Sequence, residues 1–340
     1  MPLLQSRELR ASWSRIRWVL FILAAVLLYN LFFTPGFFKI ELKQGHLYGS
    51  LIDIIDRAAP VMLISLGMTL VIATGGVDLS VGAVMAIIGS LAAKLVAENH
   101  WPFASVLLIC LATGAALGLW NGSLISFIGV QPIVATLILM IAGRGIAQLL
   151  TGGQIITFEN DSFAFLGGGY FLGLPFTYTI VALSFLALAL LVRKSALALF
   201  IEAVGDNERA SHLSGINSRF IKCFAYATVG FFSALAGLIV ASDIKAADAN
   251  NAGLYLELDA ILAVVLGGTA LTGGRFYLFN SLLGAILIQT LTTTILTRGI
   301  AVELTLVVKA IIILLVCLIQ SEQFRALLTR TLMSKREVPA

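Results

Sequence analysis

Gly75-Gly76-Val77-Asp78-Leu79-Ser80-Val81-Gly82 lies between two uncharged apolar runs, Ala58 to Val77 and Leu79 to Ala93. Lipid offers no water to backbone that leaves a helix, so a glycine-broken polar stretch at membrane depth needs protein or a water-filled path around it. A carboxylate there is costly unless it serves a purpose. The stretch therefore marks a transporter-like chain, with Asp78 either lining the path or capping the helix that starts near Ser80, where the helix dipole favours an acid. Ser80 belongs to the same path-or-gate set.

Composition sets the frame. Of 340 residues, 59% are hydrophobic and 12% charged, against about 25% charged in a soluble domain. Apolar stretches of roughly 20 residues recur near 18–33, 58–75, 80–97, 103–128, 132–151, 176–192, 220–242, 259–272, 276–297 and 303–320. The chain reads as an all-α polytopic integral membrane protein of about ten helices, some broken. Residues 1–340 form one transmembrane domain. Trp18 to Phe33 follows four arginines like a signal peptide, but Thr34-Pro35-Gly36 offers no small-residue cleavage site, so it reads as a first transmembrane helix. Cys110, Cys223 and Cys317 sit far apart in apolar runs and read as buried hydrophobes rather than ligands. No metal site is expected.

The net charge of +4 is not gathered into a basic patch with interleaved aromatics, which argues against nucleic acid. Placed with the N-terminus inside, the inner segments hold Arg7 to Arg17, Arg193, Lys194, Arg209, Arg219, Lys222, Arg275 and the C-terminal cations. The outer segments keep Lys39, Lys43, Arg57, Lys94, Lys245 and Arg298. This asymmetry follows the positive-inside rule and puts both termini in the cytoplasm, with Asp78 toward the cytoplasmic half. Between Asn99 and Gly143 there is no Asp, Glu, Lys or Arg, and Gly129-Val130-Gln131-Pro132 divides the stretch into two spans. Residues 151–176 read as an external, glycine-rich loop with a short re-entrant piece.

A second glycine-rich break, Gly267-Gly268-Thr269-Ala270-Leu271-Thr272-Gly273-Gly274, echoes the first. Paired interruptions in separate halves point to a transport path. Gly114, Gly118 and Gly122 repeat every fourth residue, a ladder for close helix approach, and Asn121 beside it is a path candidate. Arg144, inside the span 132–151, faces the bundle interior, to pair with a carboxylate or to touch a sugar hydroxyl. Lys309 lies near a helix end, where it can snorkel to the interface.

The longest internal polar segment is 193–222, placed inside. Within it Glu202 to Gly215 reads as two short helical pieces, with Gly205 making the turn, Asp206 or Asn207 capping the second and Gly215 closing it. A helix–turn–helix on the cytoplasmic face fits a cleft on a soluble partner, with Ala203 and Ala210 allowing close approach.

The opening stretch resembles the glycine-glycine-x-Asp-Leu-Ser-x-Gly signature of permeases from ribose-type ABC sugar importers, the second carbohydrate-uptake class. Asn121-Gly122, Gln131 to Leu137 followed by Arg144-Gly145, the 202–216 segment, and Leu258-Asp259-Ala260-Ile261 running to Gly267-Gly268-Thr269 match in the same order. The resemblance implies a type II ABC importer permease-like fold and adds Thr136 and Thr269 to the path or gate. It makes 202–216 the coupling helix that docks on an ATP-binding subunit, with Glu202, Ala203, Gly205, Asp206, Asn207, Arg209, Ala210 and Gly215 as the contact. It implies a permease dimer beneath a periplasmic sugar-binding protein in the bacterial inner membrane, among membrane lipid. No cofactor is expected in this chain, ATP being used by the partner subunit. The cargo is a monosaccharide, galactofuranose first and ribose or another aldose after it. Where the family continues Gly-Gly-x-Gly, this chain has Gly273-Gly274-Arg275-Phe276; the added charge and bulk favour pairing with a different permease rather than with itself.

Other classes fit less well. An ion-coupled secondary transporter needs embedded carboxylates or histidines beyond Asp78. An intramembrane enzyme needs a nucleophile with its base, a metal cluster or paired carboxylates at membrane depth. Leu150-Thr151-Gly152-Gly153-Gln154 imitates the signature loop of ABC nucleotide-binding subunits, but the chain contains no Gly-Lys dipeptide and hence no P-loop.

Overall fold

A computed structural model describes residues 2–301, 304, 306–311 and 314, with side chains from residue 16 onward. The helices are α1 (Pro2–Phe33), α2 (Ser50–Ala73), α3 (Val81–Ala97), α4 (Phe103–Ser123), α5 (Pro132–Thr151), α6 (Asp161–Gly168), α7 (Phe176–Lys194), α8 (Leu197–Asp206), α9 (Glu208–Leu213), α10 (Ser218–Asp243), α11 (Leu256–Leu266) and α12 (Leu278–Thr297). One π-turn, Leu124–Ile128, extends α4. Among the described residues, six short strands form three antiparallel pairs: β1 (Glu41–Lys43) with β2 (His46–Tyr48), β3 (Ile156–Thr157) with β6 (Ala246–Ala247), and β4 (Tyr170–Phe171) with β5 (Leu174–Pro175). By contact the chain divides into residues 38–286 and a second unit of residues up to 37 with those from 287.

Among the described residues, seven helices are long and apolar enough to cross a membrane, which makes this a multi-pass membrane protein. Two of the expected spans are shorter than predicted. The stretch 80–97 is a 17-residue helix, α3, and 259–272 holds only the 11-residue α11 before its glycines end it. The span expected at 303–320 and the C-terminal tail lie mostly outside the described residues.

In the larger unit, α2, α3 and α10 form the core. A helix apolar on all sides belongs inside a bundle, and α2 is buried continuously from Ala58 to Ala73. Helix α10 is held against α4 by the glycine ladder. A Cβ on Gly118 would lie 2.1 Å from the Tyr226 carbonyl oxygen, one on Gly114 2.5 Å from Ala234 Cβ, and one on Gly122 2.9 Å from Cys223 Cα. The two backbones thus touch where a side chain would stand. Without a hydrophobic drive between helices in lipid, such contact is what holds them together. Pro132 opens α5 at its first position, where proline's missing N–H costs nothing.

Residues 151–176 contain a formed helix, α6, capped by Asn160, whose side chain accepts the Phe163 N–H at 3.0 Å. Ser242 stitches α6 to α10, accepting from the Gly167 N–H (2.8 Å) and donating to the Phe163 carbonyl (2.7 Å). On the same unit, Glu41 bridges Lys39 and Lys43 at 2.6 and 2.5 Å. In the smaller unit, buried Asn30 on α1 donates to Thr294 Oγ1 at 2.7 Å, and the Arg298 guanidinium donates to the Phe33 carbonyl at 2.8 Å. Lys309 is buried, 8% exposed.

Candidate transport site

Helix α2 ends because Gly75 takes φ +79°, a left-handed turn that glycine adopts without penalty. The Thr74 hydroxyl donates to the Val71 carbonyl (2.8 Å), and the Gly76 N–H donates to that carbonyl as well (3.1 Å), closing the helix end. Residues 77–80 then run outside any helix. Asp78, 1% exposed, accepts the Ser80 N–H (2.8 Å) and the Ser80 hydroxyl (2.6 Å), and Asn121 Nδ2 donates to Ser80 Oγ (2.9 Å). The Asp78 contact is an Asx-type turn leading into α3, a local substitute for the missing helical bonds. Asp78, Ser80 and Asn121 thus form one buried polar cluster from three separate positions in the sequence. Asn121 Oδ1 is buried with no hydrogen-bond partner among the described residues.

Tyr226 completes the wall. It is one of the largest fully buried side chains, and its hydroxyl donates to the Val77 carbonyl at 3.2 Å. A Cβ on Gly76 would lie 2.6 Å from that hydroxyl, so glycine there is what lets the tyrosine reach the broken backbone. On the other side of the break, a Cβ on Gly82 would meet the Gly253 carbonyl oxygen at 2.3 Å and Glu257 Oε2 at 2.6 Å. The start of α3 therefore packs directly on the turn that leads into α11. Sequence reading did not find Tyr226, Gly253 or Glu257. Each lies in an ordinary local context and matters only through a neighbour far along the chain.

The second break reaches the first. The Gly274 N–H donates to the Ala73 carbonyl at 2.9 Å, and a Cβ on Gly273 would lie 3.0 Å from the Gly75 nitrogen. Thr269 is buried in this loop, accepting the Tyr277 N–H at 3.4 Å, and Asn280 Nδ2 donates to the Gly267 carbonyl at 3.0 Å. Thr269 thus fastens the loop rather than joining the Asp78 cluster. Thr136 donates back to the Pro132 carbonyl at 3.0 Å within its own helix. Arg144, half-buried, donates to the carbonyls of Ala249 (3.3 Å), Asn250 (3.4 Å) and Ala252 (2.6 Å). Its direct partners are backbone oxygens of the 248–255 turn. That turn is also pinned by Asp248, which accepts the Asn250 and Asn251 N–H groups (3.0 and 3.1 Å) and Asn251 Nδ2 (2.7 Å). The Asn251 side-chain bond is the main reason its carboxyl is held below its usual range.

The 193–222 segment forms two helices as expected, but the turn falls elsewhere. Gly205 lies inside α8, and the chain turns at Asn207, whose side chain accepts the Ala210 N–H (3.0 Å) to cap α9. Gly215, at φ +84°, closes α9. Asp206, Asn207, Arg209, Ala210 and Gly215 are exposed, while Glu202, Ala203 and Gly205 are half-buried. Gly205 has a different task from the predicted one. A Cβ there would stand 1.8 Å from the Ala73 carbonyl oxygen and 2.5 Å from the Gly274 nitrogen. The backbone of α8 is thus pressed against the ends of both broken segments.

An apolar helical bundle with two interrupted segments meeting at one end, and an exposed helix–turn–helix in contact with both, has the build of a membrane permease. Residues 50–317 match the permease component family described for branched-chain amino acid transport systems. The chain belongs to this family, among the permeases of ribose-type ABC sugar importers. It is 52% identical to the galactofuranose transporter permease YtfT of Escherichia coli K12, over 92% of this chain and 93% of that protein. It is 37% identical to the fructose import permease FruF of Bifidobacterium longum, over 93% and 89%. It is 35% identical to the ribose import permease RbsC of Escherichia coli K12, over 85% and 88%. No solved structure matches it. The ion-coupled alternative falls with that membership.

Proposed function

We propose that the chain is a transmembrane subunit that carries a monosaccharide, galactofuranose before ribose or another aldose, into the cytoplasm. A separate ATP-binding subunit hydrolyses ATP and docks on the exposed face of Glu202 to Gly215, so this chain needs no ATPase site or cofactor of its own. A periplasmic sugar-binding protein delivers the cargo. A second permease, different from this one, completes the path, consistent with the charged Arg275 after the second glycine pair. The chain works as one domain in the bacterial inner membrane with both termini cytoplasmic, and 193–222 is its coupling loop.

The observation that carries this reading is the contact of Gly205 with Ala73 and Gly274. A partner that holds α8–α9 differently in its ATP-bound and ATP-free states biases both interrupted helices at once, and that differential contact is the only way a partner can shift an equilibrium between conformations. The Asp78–Ser80–Asn121 cluster, with Thr136, Thr269 and Arg144 fixing the surrounding backbone, then serves as the gate toward the cytoplasm. The preference for galactofuranose rests on the 52% identity to a galactofuranose permease. Uptake by proteoliposomes containing the permeases, the ATP-binding subunit and the sugar-binding protein tests it. ATP-dependent uptake of labelled galactofuranose, outcompeting ribose, is expected. Uptake driven by an ion gradient without ATP, or co-purification with a single permease type, refutes the corresponding part.

A further inference from the structure

The π-turn that extends α4 and the start of α10 enclose an open groove of about 800 Å³ beside α9, lined by Leu119, Phe127, His212, Arg219 and Phe220 among others. Its wall is apolar and uncovered: Leu119, Phe127 and Phe220 are 46%, 63% and 60% exposed. Leu119 and Phe127 belong to the stretch Phe103–Ile128, which is long and apolar enough to cross a membrane, so the wall continues onto an apolar helix surface suited to acyl chains. The rim is cationic. The Arg219 guanidinium stands 5.7 Å from the centre of the Phe127 ring and makes no ion pair among the described residues. Arg209, His212 and Glu208 line the adjoining groove, and the Glu208 carboxylate is already neutralised by Lys222 at 2.6 Å.

We propose that this groove binds an anionic phospholipid, with the phosphate at Arg219 and an acyl chain along Leu119, Phe127 and Phe220. Unpaired arginine at the polar end of an apolar groove matches a headgroup that is anionic where its tail is greasy, and basic pockets between membrane helices are known to take such lipids. A soluble partner would have to desolvate Arg219 and reach the wall below it, on a helix that lies in the membrane. The site also adjoins α9, so an occupant there bears on the docking loop.

The test is native mass spectrometry of the full-length permease with its ATP-binding subunit, titrated with phosphatidylglycerol or phosphatidylcholine. Tighter binding of phosphatidylglycerol is expected, falling about fivefold in Arg219→Gln, from the attraction of one basic residue to an anionic headgroup. Arg219→Lys should retain most of it. Should Arg219→Gln aggregate, the wild-type complex still decides, because an electrostatic preference for phosphatidylglycerol must shrink as salt rises. Equal binding of the two lipids, unchanged binding in Arg219→Gln, or salt-independent selectivity overturns the proposal. So does phosphatidylglycerol binding to the isolated permease but not to the complex, which assigns the groove to the protein partner.

Discussion

Substituting Gly205 by alanine tests the coupling reading with the smallest possible probe. The new methyl carbon would lie 1.8 Å from the Ala73 carbonyl oxygen, 2.5 Å from the Gly274 nitrogen and 3.0 Å from the Ala73 carbonyl carbon. All three are backbone atoms, so no side chain can swing aside. Reaching ordinary contact requires about 1.6 Å of separation at the closest pair, and α8 must lift from the end of α2. The same oxygen accepts the Gly274 N–H at 2.9 Å. Overpacking of this kind costs roughly 1–3 kcal/mol, and a strained or lost backbone hydrogen bond adds about 1 kcal/mol. Part of the cost is met by shifting α8, which loosens the contact that passes partner movement to both broken segments. The assay compares ATP hydrolysis and sugar uptake in proteoliposomes, normalised to inserted protein. Gly205→Ala should insert and hydrolyse ATP while importing at most about a tenth of the sugar per ATP, the factor that 1.4 kcal/mol of lost bias produces. Gly168→Ala is the control, because nothing lies within 4 Å of its added carbon and it stands on α6, outside the coupling loop; it should leave coupling intact. Normal import per ATP in Gly205→Ala would refute the idea that this contact transmits motion.

Three further outcomes are expected. Asp78→Ala takes the acceptor from the buried Ser80 N–H and from the Ser80 hydroxyl proton, leaving Asn121 as the hydroxyl's remaining partner, and each lost donor bond costs about 1–3 kcal/mol, so uptake should fall far more than the inserted level on an immunoblot; normal uptake would reduce the segment to a helix start. Gly118→Ala forces α4 from α10, since its carbon meets the Tyr226 carbonyl oxygen at 2.1 Å, and should lower thermal stability in detergent by the roughly 1–3 kcal/mol of overpacking, whereas Gly145→Ala, with nothing within 4 Å, should not. Hydrogen bonds from Lys39 and Lys43 pull Glu41 down from 4.5 to about 2. A depressed folded pKa means the hairpin's ionic contribution is complete above 4.5 and is lost as pH falls toward 2, so its amide protection should hold at pH 5 and decline only below that; protection lost already at pH 6 would contradict the pairing.

Much of the bundle was legible from the chain. Helices need no distant partner to satisfy their backbone in lipid, so uninterrupted apolar length announces them, and the breaks at Gly75 and Gly267 stand out against it. The ladder Gly114, Gly118, Gly122 was readable for the same reason: its spacing puts all three on one helix face, whichever helix they meet. The site was legible only in part. Asp78 and Ser80 are two residues apart and form their turn locally, but Asn121 joins them only through the fold. In sequence Arg144 reads as an ion-pair or sugar-contact residue, because a buried charge calls for a polar partner, yet carbonyls of the 248–255 turn are its direct partners. Backbone acceptors carry no signature in sequence.

Composition and glycine placement alone dictate a multi-pass membrane chain with two interrupted segments, because membrane insertion and local backbone conformation are local properties. What those glycines are for emerges from the packing of segments distant in the chain. In sequence Gly205 reads as a turn, because isolated glycine usually is one. Its reason is a carbonyl oxygen at Ala73, over a hundred positions away in the chain, and close approach between distant backbones is a property that no stretch of sequence contains.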